Sequence, residues 1–265
     1  MSEVTAKDVK SLRDATGAGM MDAKKALVAA DGDRDKAVRI LREKGLTKVA
    51  ALEDRENNEG AVAIASSGNT AAIVQLKSET DFSAKADDFI ALAQKMADAV
   101  LAGGPDAVSE VSEELDSLKL AKRENIEVGT VERFEAADGN VLDAYLHVQD
   151  GRGVNGVLLE VTGTDDAELV HEVALHVAFA KPTAMTRDEV ATELADKARL
   201  SFEELTRKEG KPEQAVPKIV EGRMNSWYAD RVLPEQGMFG EKQTVDDRLG
   251  DASVVRFAQA IIGES

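Results

Sequence analysis

The chain of 265 residues contains no cysteine, which excludes disulfide bonds, thiolate metal sites and cysteine nucleophiles. This absence fits a reducing compartment. The first five residues carry no basic stretch before an apolar run, so no signal peptide is predicted. No apolar run approaches the roughly 20 residues that a membrane-spanning helix needs. We therefore predict a cytoplasmic protein that does not enter a membrane.

Positive charge is also scarce. Lysine and arginine number 33 against 50 aspartates and glutamates, for a net charge of −17. A phosphate backbone would be repelled over most of such a surface, which disfavours direct nucleic-acid binding. The same field favours a protein partner with a basic face. With 43% apolar and 31% charged residues the chain is predicted to fold, and its length indicates about two domains.

Motifs for phosphate or cation binding are incomplete. Gly17-Ala18-Gly19 lacks the preceding strand and the third glycine of a dinucleotide-binding fingerprint. Gly210-Lys211 has Leu205 where the first glycine of a phosphate-binding loop belongs. Asp31-Gly32-Asp33 begins like a calcium loop, but its glycine is misplaced and its twelfth position is Arg42 instead of glutamate. We predict no cofactor and no resident metal.

The histidines do not suggest a catalytic centre. His171 and His176 lie five residues apart on a predicted helix, a poor spacing for joint metal ligation. His176 flanks the apolar face and is predicted to be a core residue, whereas His147 ends a strand and is predicted to be exposed. No Ser/His/Asp set or carboxylate pair stands out in so acidic a chain. The sequence therefore predicts a binding protein, not an enzyme.

Residues 1–55 are predicted to form a small domain of three short helices. Thr5 and Asp8 are suitable N-cap partners for the first helix. The third helix is predicted to stop at Lys44-Gly45, because glycine commonly ends helices. Residues 46–60 begin with a helical pattern and become polar, which indicates a linker or hinge.

Two apolar pairs beside glycines are candidate contact residues. Met20-Met21 follows a Gly-Ala-Gly corner, and the pair can either fill the small helical core or form a soft apolar contact surface. The sequence leaves both interpretations open. Met238-Phe239, between Gly237 and Gly240, is predicted to be a second exposed pair.

The middle of the chain repeats one pattern, which predicts an α+β fold. Residues 56–140 contain a hairpin of period-two strands, a Thr-Asp corner, an apolar-faced helix and a further strand. Residues 141–185 repeat the hairpin, the corner and the helix, and residues 229–265 are expected to rejoin that second sheet through Thr244-Val245 and the apolar stretch 254–258. We predict two related subdomains, each an antiparallel sheet with a helix.

The corner Thr80-Asp81-Phe82 has two structural interpretations. Thr80 and Asp81 are helix-capping residue types. Phe82 can fold back as a hydrophobic staple or point outward as a wedge for a partner. When the two repeats are aligned with Thr80 opposite Thr164, Phe82 aligns with Asp166. The repeated corner therefore does not require an aromatic residue at this position. The comparison shifts weight towards the wedge.

Residues 186–228 are predicted to form a helical hairpin, and one interpretation is a protruding antiparallel coiled coil. Alternatively, the two helices simply cover the second sheet. The predicted stripes of contact residues are Val190, Leu194, Ala198 and Leu205 on the first helix, and Ala215, Ile219 and Trp227 on the second.

Several motifs, in order along nearly the whole chain, resemble the elongation factor Ts family. The most specific is Leu12-Arg13-x-x-Thr16-Gly17-x-Gly19-Met20-Met21-Asp22-x-Lys24-Lys25-Ala26-Leu27. The others are Thr80-Asp81-Phe82, Tyr145-x-His147, His176-Val177-Ala178, Lys181-Pro182, Glu221-Gly222-Arg223-Met224 and Thr244-Val245. The chain departs from the family at Gln75, Lys77 and Ser83, and relative to longer members its C-terminal helical module looks truncated.

The resemblance implies a guanine-nucleotide exchange factor for the GTPase elongation factor Tu, with residues 1–55 forming a ubiquitin-associated-like domain. It implies that Asp81 and Phe82, flanked by Thr80 and Ser83, displace Mg²⁺ from the partner. Further partner contacts are implied for Lys10, Arg13, Met20, Met21, His147, Met238 and Phe239. The complex could be a heterodimer or a heterotetramer.

Two other classes of function remain open at this point. A non-catalytic adaptor or chaperone-like protein would use its helical N-terminal domain to bind an unrelated partner, without any effect on nucleotide release. An enzyme with an acidic Mg²⁺ site would bind the metal by itself.

Overall fold

The computed structural model describes residues 4–16, 18–50, 52 and 54–263, without the side chains of residues 46–50. Gly17 of the Gly-Ala-Gly corner, the side chains at the start of the predicted linker 46–60, and Glu53 lie outside the described residues. No helix in the described ranges is long and apolar enough to cross a membrane.

The described residues form a mixed helical and antiparallel-sheet structure. The helices are α1 (Ala6–Thr16), α2 (Met20–Ala29), α3 (Arg34–Ala50), α4 (Asp81–Ala84), α5 (Asp87–Gly103), α6 (Ser112–Lys122), α7 (Ala167–Ala180), α8 (Thr192–Lys208), α9 (Val216–Ala229) and α10 (Val245–Leu249). The strands are β1 (Glu59–Ser67), β2 (Thr70–Ser78), β3 (Glu127–Glu135), β4 (Val141–Gln149), β5 (Arg152–Thr162) and β6 (Ser253–Ile261). The predicted α+β class is therefore confirmed.

The first three helices pack around a small apolar cluster of their own, which includes Leu12, Ala23 and Leu27. The predicted cap of α1 is present, because Thr5 and Asp8 each accept a hydrogen bond from the other's backbone N–H. The predicted stop at Lys44-Gly45 is wrong, because α3 continues to Ala50. A side chain at Gly45 would clash with Leu120 of α6, so this glycine permits close packing of two helices.

The strands form two triplets with the same connectivity. In the first, β2 lies between β1 and β3, and in the second, β5 lies between β4 and β6. A single pair, Val62 opposite Gly153, joins β1 to β5. The apolar stretch 254–258 joins the second sheet, as predicted. Thr244-Val245 does not, because Thr244 caps α10 with a reciprocal capping box.

The two sheets face each other and carry one long helix on each outer face. Alternate residues of β2, such as Val74 and Leu76, pack under α5. Those between, such as Ile73, meet Leu158 of β5 in the cluster between the sheets. Residues such as Val157 of β5 pack under α7. The order of layers is helix, sheet, sheet, helix, and both central strands are buried on both faces.

Helices α8 and α9 pair along a stripe that agrees only in part with the predicted one. Ala195, Ala198 and Phe202 of α8 meet the buried Val216, Val220 and Met224 of α9. Leu194 and Leu205, which were predicted to face the partner helix, are exposed. Val190 precedes α8 and packs with Ala184 and Val232 instead. Ala198 and Trp227 belong to this cluster, as predicted. The other predicted positions within the two helices are displaced from the observed contacts by about one residue, which is enough to turn their side chains away from the seam.

Candidate partner-binding site

The candidate site is the corner where β2 leads into the helical layer. Strand β2 ends at Ser78, and the four-residue helix α4 begins at Asp81. Thr80 is its N-cap, because the Thr80 hydroxyl accepts a hydrogen bond from the Ser83 N–H at 3.2 Å. Lys85 and Ala86 then interrupt the helical path, and α5 starts at Asp87. The corner is therefore a separate turn of helix in front of the core helix.

Phe82 projects from this turn into solvent. Its side chain is 88% exposed, the highest value among the large apolar residues of the described chain. The next two residues, Ser83 and Ala84, are buried and anchor the other side of the turn. Phe82 thus does not act as a staple on its own helix, and its geometry is that of a wedge.

A single carboxylate, that of Glu124, holds the corner from outside. Glu124 Oε1 accepts hydrogen bonds from the hydroxyls of Thr80 at 2.8 Å and Ser83 at 2.6 Å. Glu124 Oε2 accepts from the Thr80 backbone N–H at 3.2 Å. Hydrogen bonds to an ionised acceptor are among the stronger ones in proteins. The turn that presents Phe82 is therefore fixed to the segment between α6 and β3.

Glu79 and Asn125 complete this attachment in the opposite direction. The Glu79 carboxylate accepts a hydrogen bond from the backbone N–H of Asn125 at 2.6 Å. Glu79 also forms an ion pair with Arg55, and the Asn125 side chain donates to the Arg55 carbonyl. The two adjacent residues Glu79 and Thr80 thus bind the two adjacent residues Asn125 and Glu124.

Asp81 is held by Lys85, which also reaches the neighbouring hairpin. Lys85 Nζ lies 3.0 Å from Asp81 Oδ2 and 3.2 Å from Asp150 Oδ2. The hydrogen bond and charge of Lys85 lower the pKa of the Asp81 carboxyl, and hydrogen bonds to Asp81 and Asp150 raise the pKa of Lys85. Asp150 lies in the turn after His147, whose side chain is exposed as predicted. The corner and the end of the β4–β5 hairpin therefore share one ion-pair network.

The predicted N-terminal contact residues lie on the surface of the three-helix cluster. Met20 is 48% exposed and Met21 is 64% exposed at the start of α2. Lys10 and Arg13 are exposed on α1, where Arg13 pairs with Asp14. The two methionines therefore do not fill the small core.

The second apolar pair is only half as predicted. Met238 is 5% exposed and belongs to the core under α7, so its prediction as an exposed contact residue is wrong. Its N–H donates to the Gln243 carbonyl, and this loop closure turns the side chain inward. Phe239 remains 42% exposed and has a left-handed backbone, with φ of 50°.

Buried His176 supports Phe239. The Phe239 N–H donates to His176 Nδ1 at 3.1 Å, so Nε2 carries the proton that bonds to the Gln236 side-chain oxygen, also at 3.1 Å. Burial lowers the pKa of His176 and favours the neutral ring that this arrangement requires. The prediction of a core histidine is confirmed.

The predicted contact residues thus lie in three parts of the fold. Thr80, Asp81, Phe82 and Ser83 form the corner, and the ion-pair network links it to the hairpin that carries His147. The N-terminal residues lie on the three-helix cluster, and Phe239 lies in the loop before α10. Within the described ranges, no group of histidine and acidic residues is arranged to hold a metal ion.

Sequence reasoning missed Glu124, Lys85 and Asp150 as parts of the site. Glu124 lies 44 residues from Thr80 along the chain, and nothing in its local pattern distinguishes it from neighbouring surface acids. Lys85 is the exception, because its i,i+4 spacing from Asp81 was visible in the sequence.

Comparisons with known proteins identify the family. Residues 79–264 match the family described as Elongation factor TS. Proteins named Elongation factor Ts are similar over almost their full length: that of Deinococcus radiodurans is 41% identical over 263 residues, covering 96% of this chain and 98% of the relative. That of Limosilactobacillus reuteri is 43% identical and covers all of this chain and 94% of the relative. That of Kineococcus radiotolerans is 42% identical, with 94% of each covered. The chain belongs to the elongation factor Ts family.

Proposed function

We propose that this chain promotes GDP release from elongation factor Tu by inserting the Asp81-Phe82 corner beside the bound nucleotide. Membership of the family makes the chain a nucleotide exchange factor of translation elongation. The observation that carries the mechanism is the rigidly held corner with an 88% exposed phenylalanine at its tip. Aromatic side chains that insert into a pocket of the partner are frequent anchors of protein interfaces, and a fixed turn presents this ring without a further cost of ordering.

Each part of the corner has a role in the proposal. Phe82 enters an apolar pocket near the switch region of the GTPase. Asp81 disturbs the helix and side chains that hold Mg²⁺ in the partner, and its lowered pKa keeps it ionised. His147 contacts the partner near the phosphate site, from the hairpin that Lys85 links to the corner.

Other surfaces supply additional binding energy. Met20 and Met21, with Lys10 and Arg13, contact a helix of the GTPase domain through adaptable side chains. Phe239 forms a further contact from the second subdomain. The buried Met238 supports the Phe239 loop from below and does not touch the partner.

The energies require several contacts to act together. Accelerating GDP release by roughly 10³–10⁴-fold removes about 4–5.5 kcal/mol from the barrier. Burying one phenylalanine supplies about 1.5–3 kcal/mol before the cost of association. Phe82 alone is therefore insufficient, and loss of the Mg²⁺ and phosphate contacts in the partner supplies the remainder. The exchange factor binds the nucleotide-free partner best. By linkage, bound nucleotide weakens the affinity of the partner for the exchange factor by the same ratio as the exchange factor weakens the affinity for nucleotide.

The finer architecture belongs to the same proposal. Residues 1–55 form a ubiquitin-associated-like domain, residues 56–140 the first core subdomain, and residues 141–185 with 229–265 the second. Residues 186–228 form a coiled-coil insertion. The protein acts in the cytoplasm without a cofactor and without catalysing a covalent step, and it binds its partner as a heterodimer or a heterotetramer.

Release of a fluorescent GDP analogue from purified elongation factor Tu tests the proposal. The full chain should accelerate release strongly, and excess unlabelled GDP should compete with the factor for the partner. Equal release rates with and without the chain would overturn the exchange function and favour an adaptor that binds without affecting the nucleotide.

A further inference from the structure

We propose that Glu124 is a positioning residue for exchange, which holds the Asp81-Phe82 corner in its active shape before the partner arrives. The proposal rests on the exchange function above and deepens it. Glu124 has no role in any motif of the sequence and lies outside the corner itself.

The corner needs outside support because it is too short to be stable alone. Helix α4 has four residues, and the first turn of a helix fixes several dihedral angles for a single hydrogen bond. Phe82 contributes nothing to its own anchoring, since its ring lies in solvent. The break at Lys85-Ala86 also separates the turn from α5. The active shape therefore depends on tertiary contacts.

Beside the buried Ala84, Glu124 supplies polar contacts at both ends of the turn. It accepts from the N–H and hydroxyl of the N-cap Thr80 and from the hydroxyl of Ser83. Because the Thr80 hydroxyl donates its only proton to Glu124, its lone pairs are turned towards the Ser83 N–H. One carboxylate thus orients the cap and ties the end of the turn at the same time.

Glu124 is itself held in place. Arg123, directly before it, has a left-handed backbone with φ of 58° at the end of α6, which turns the chain towards the corner. Asn125, directly after it, is 4% exposed and is fixed by Glu79. Ile126 then enters the core under α5. The carboxylate is therefore a rigid support and not a mobile surface side chain.

Loss of this support should slow exchange without removing any group that touches the partner. A corner that must be ordered during binding lowers both affinity and transition-state stabilisation. Misplacing a reacting or wedging group by about 1 Å is associated with losses of up to roughly 100-fold. We expect Glu124→Ala to slow GDP release at saturating factor by about tenfold, and Glu124→Gln to give a smaller loss because one oxygen can still accept.

A double-mutant cycle distinguishes positioning from general damage. Glu124→Ala should cost about tenfold in the wild-type background but less than about twofold in a Phe82→Ala background, because residues that act as one unit are not additive. The matched control is Glu114→Ala on α6. It also removes one carboxylate and its ion pair, in this case with Lys95 of α5. The control should leave exchange unchanged.

Hydrogen exchange provides a second readout that does not need the partner. The Ser83 amide, which bonds to the Thr80 hydroxyl, should exchange faster in both Glu124 variants, while amides in the centre of α5 should not. Equal losses in the two backgrounds, or an unchanged Ser83 amide, would overturn the positioning role. If the wild-type chain does not accelerate GDP release, the exchange function itself is wrong. If the wild-type chain accelerates release and the Glu124 variants do so equally well, only the positioning role of Glu124 is wrong.

Discussion

The two corners that lead from hairpin to helix differ, although the two strand triplets behind them have the same connectivity. In the second, Asp166 caps α7 by accepting from the backbone N–H groups of Glu168 and Leu169, and the helix runs unbroken to Ala180. In the first, the helical path is divided into α4 and α5, and the detached turn carries Phe82. The shared architecture needs only an ordinary cap at this place, which supports the proposal that the detached turn serves partner binding.

The helices behind the corners show that the comparison is a fair one. With Thr80 set on Thr164, Phe89 falls on Val173 and Ala93 on Val177, and all four side chains are buried. The cap itself does not follow that register: Thr80 caps the first corner, but Asp166 caps the second, with Thr164 accepting from its N–H. The core repeats and the corner does not.

The largest effect should come from the phenylalanine that serves the core. Phe89 is fully buried under the first sheet, and Phe89→Ala should lower the free energy of unfolding by about 3–5 kcal/mol because a cavity replaces the ring. Urea denaturation followed by circular dichroism measures this loss. Phe82→Ala serves as the matched control and should leave the midpoint unchanged; a similar loss for both would mean that Phe82 also has a core role.

Nucleotide exchange should depend on Phe82, the phenylalanine that contributes little to stability. Phe82→Ala should slow GDP release at a fixed factor concentration by about 10- to 100-fold, since about 1.5–3 kcal/mol of apolar burial is lost at the partner. Leu200→Ala on α8 also removes a large exposed apolar side chain and should have no effect on release. A loss of exchange equal in the two variants would show that the assay responds to apolar surface in general.

The repeated parts of this fold were predictable because their signals are local and periodic. The faces of α5 and α7, the hairpins and the Thr80 cap follow from residues close together in the sequence. The break at Lys85-Ala86 could not be predicted, because neither glycine nor proline marks it. Ala86 adopts an extended backbone, with ψ of 140°, in a place where alanine by itself would favour helix.

Contacts between distant segments explain the other differences. Glycines on both sides of Met238 suggested an exposed tip, but the loop folds back on α7 and buries the methionine. Gly45 was interpreted as a helix stop because glycine commonly ends helices. The structure gives a different reason for a glycine here, the close approach of Leu120, and that residue lies far along the chain. Glu124 escaped notice for the same reason. Periodicity locates cores, whereas it does not locate the supports of an exposed site.

Substitutions of the two cap residues should have smaller effects, one on stability and the other on exchange. Asp166→Ala removes two hydrogen bonds at the start of α7 and should lower the free energy of unfolding by about 1 kcal/mol, without slowing GDP release. Thr80→Ala should slow release, because it removes both the cap of α4 and the hydrogen bond that the Thr80 hydroxyl donates to Glu124. Chemical denaturation and nucleotide release, measured on the same preparations, check the pair. A slower release in Asp166→Ala would end the functional distinction between the corners.

The smallest effect should appear in the pH dependence of stability, because α7 carries a buried histidine where α5 does not. His176 occupies the place that Leu92 takes on α5, and burial lowers the pKa of its ring in the folded state. The unfolded chain therefore takes up a proton below a pH of about 6.5 that the folded chain does not, so stability falls as the pH drops through that value. The slope from one such group stays below about 1.4 kcal/mol per pH unit. His176→Asn can still accept the Phe239 N–H and should flatten this part of the profile between about pH 7.5 and 5.5 in urea titrations. Identical slopes for wild type and variant would show that His176 is not the group responsible.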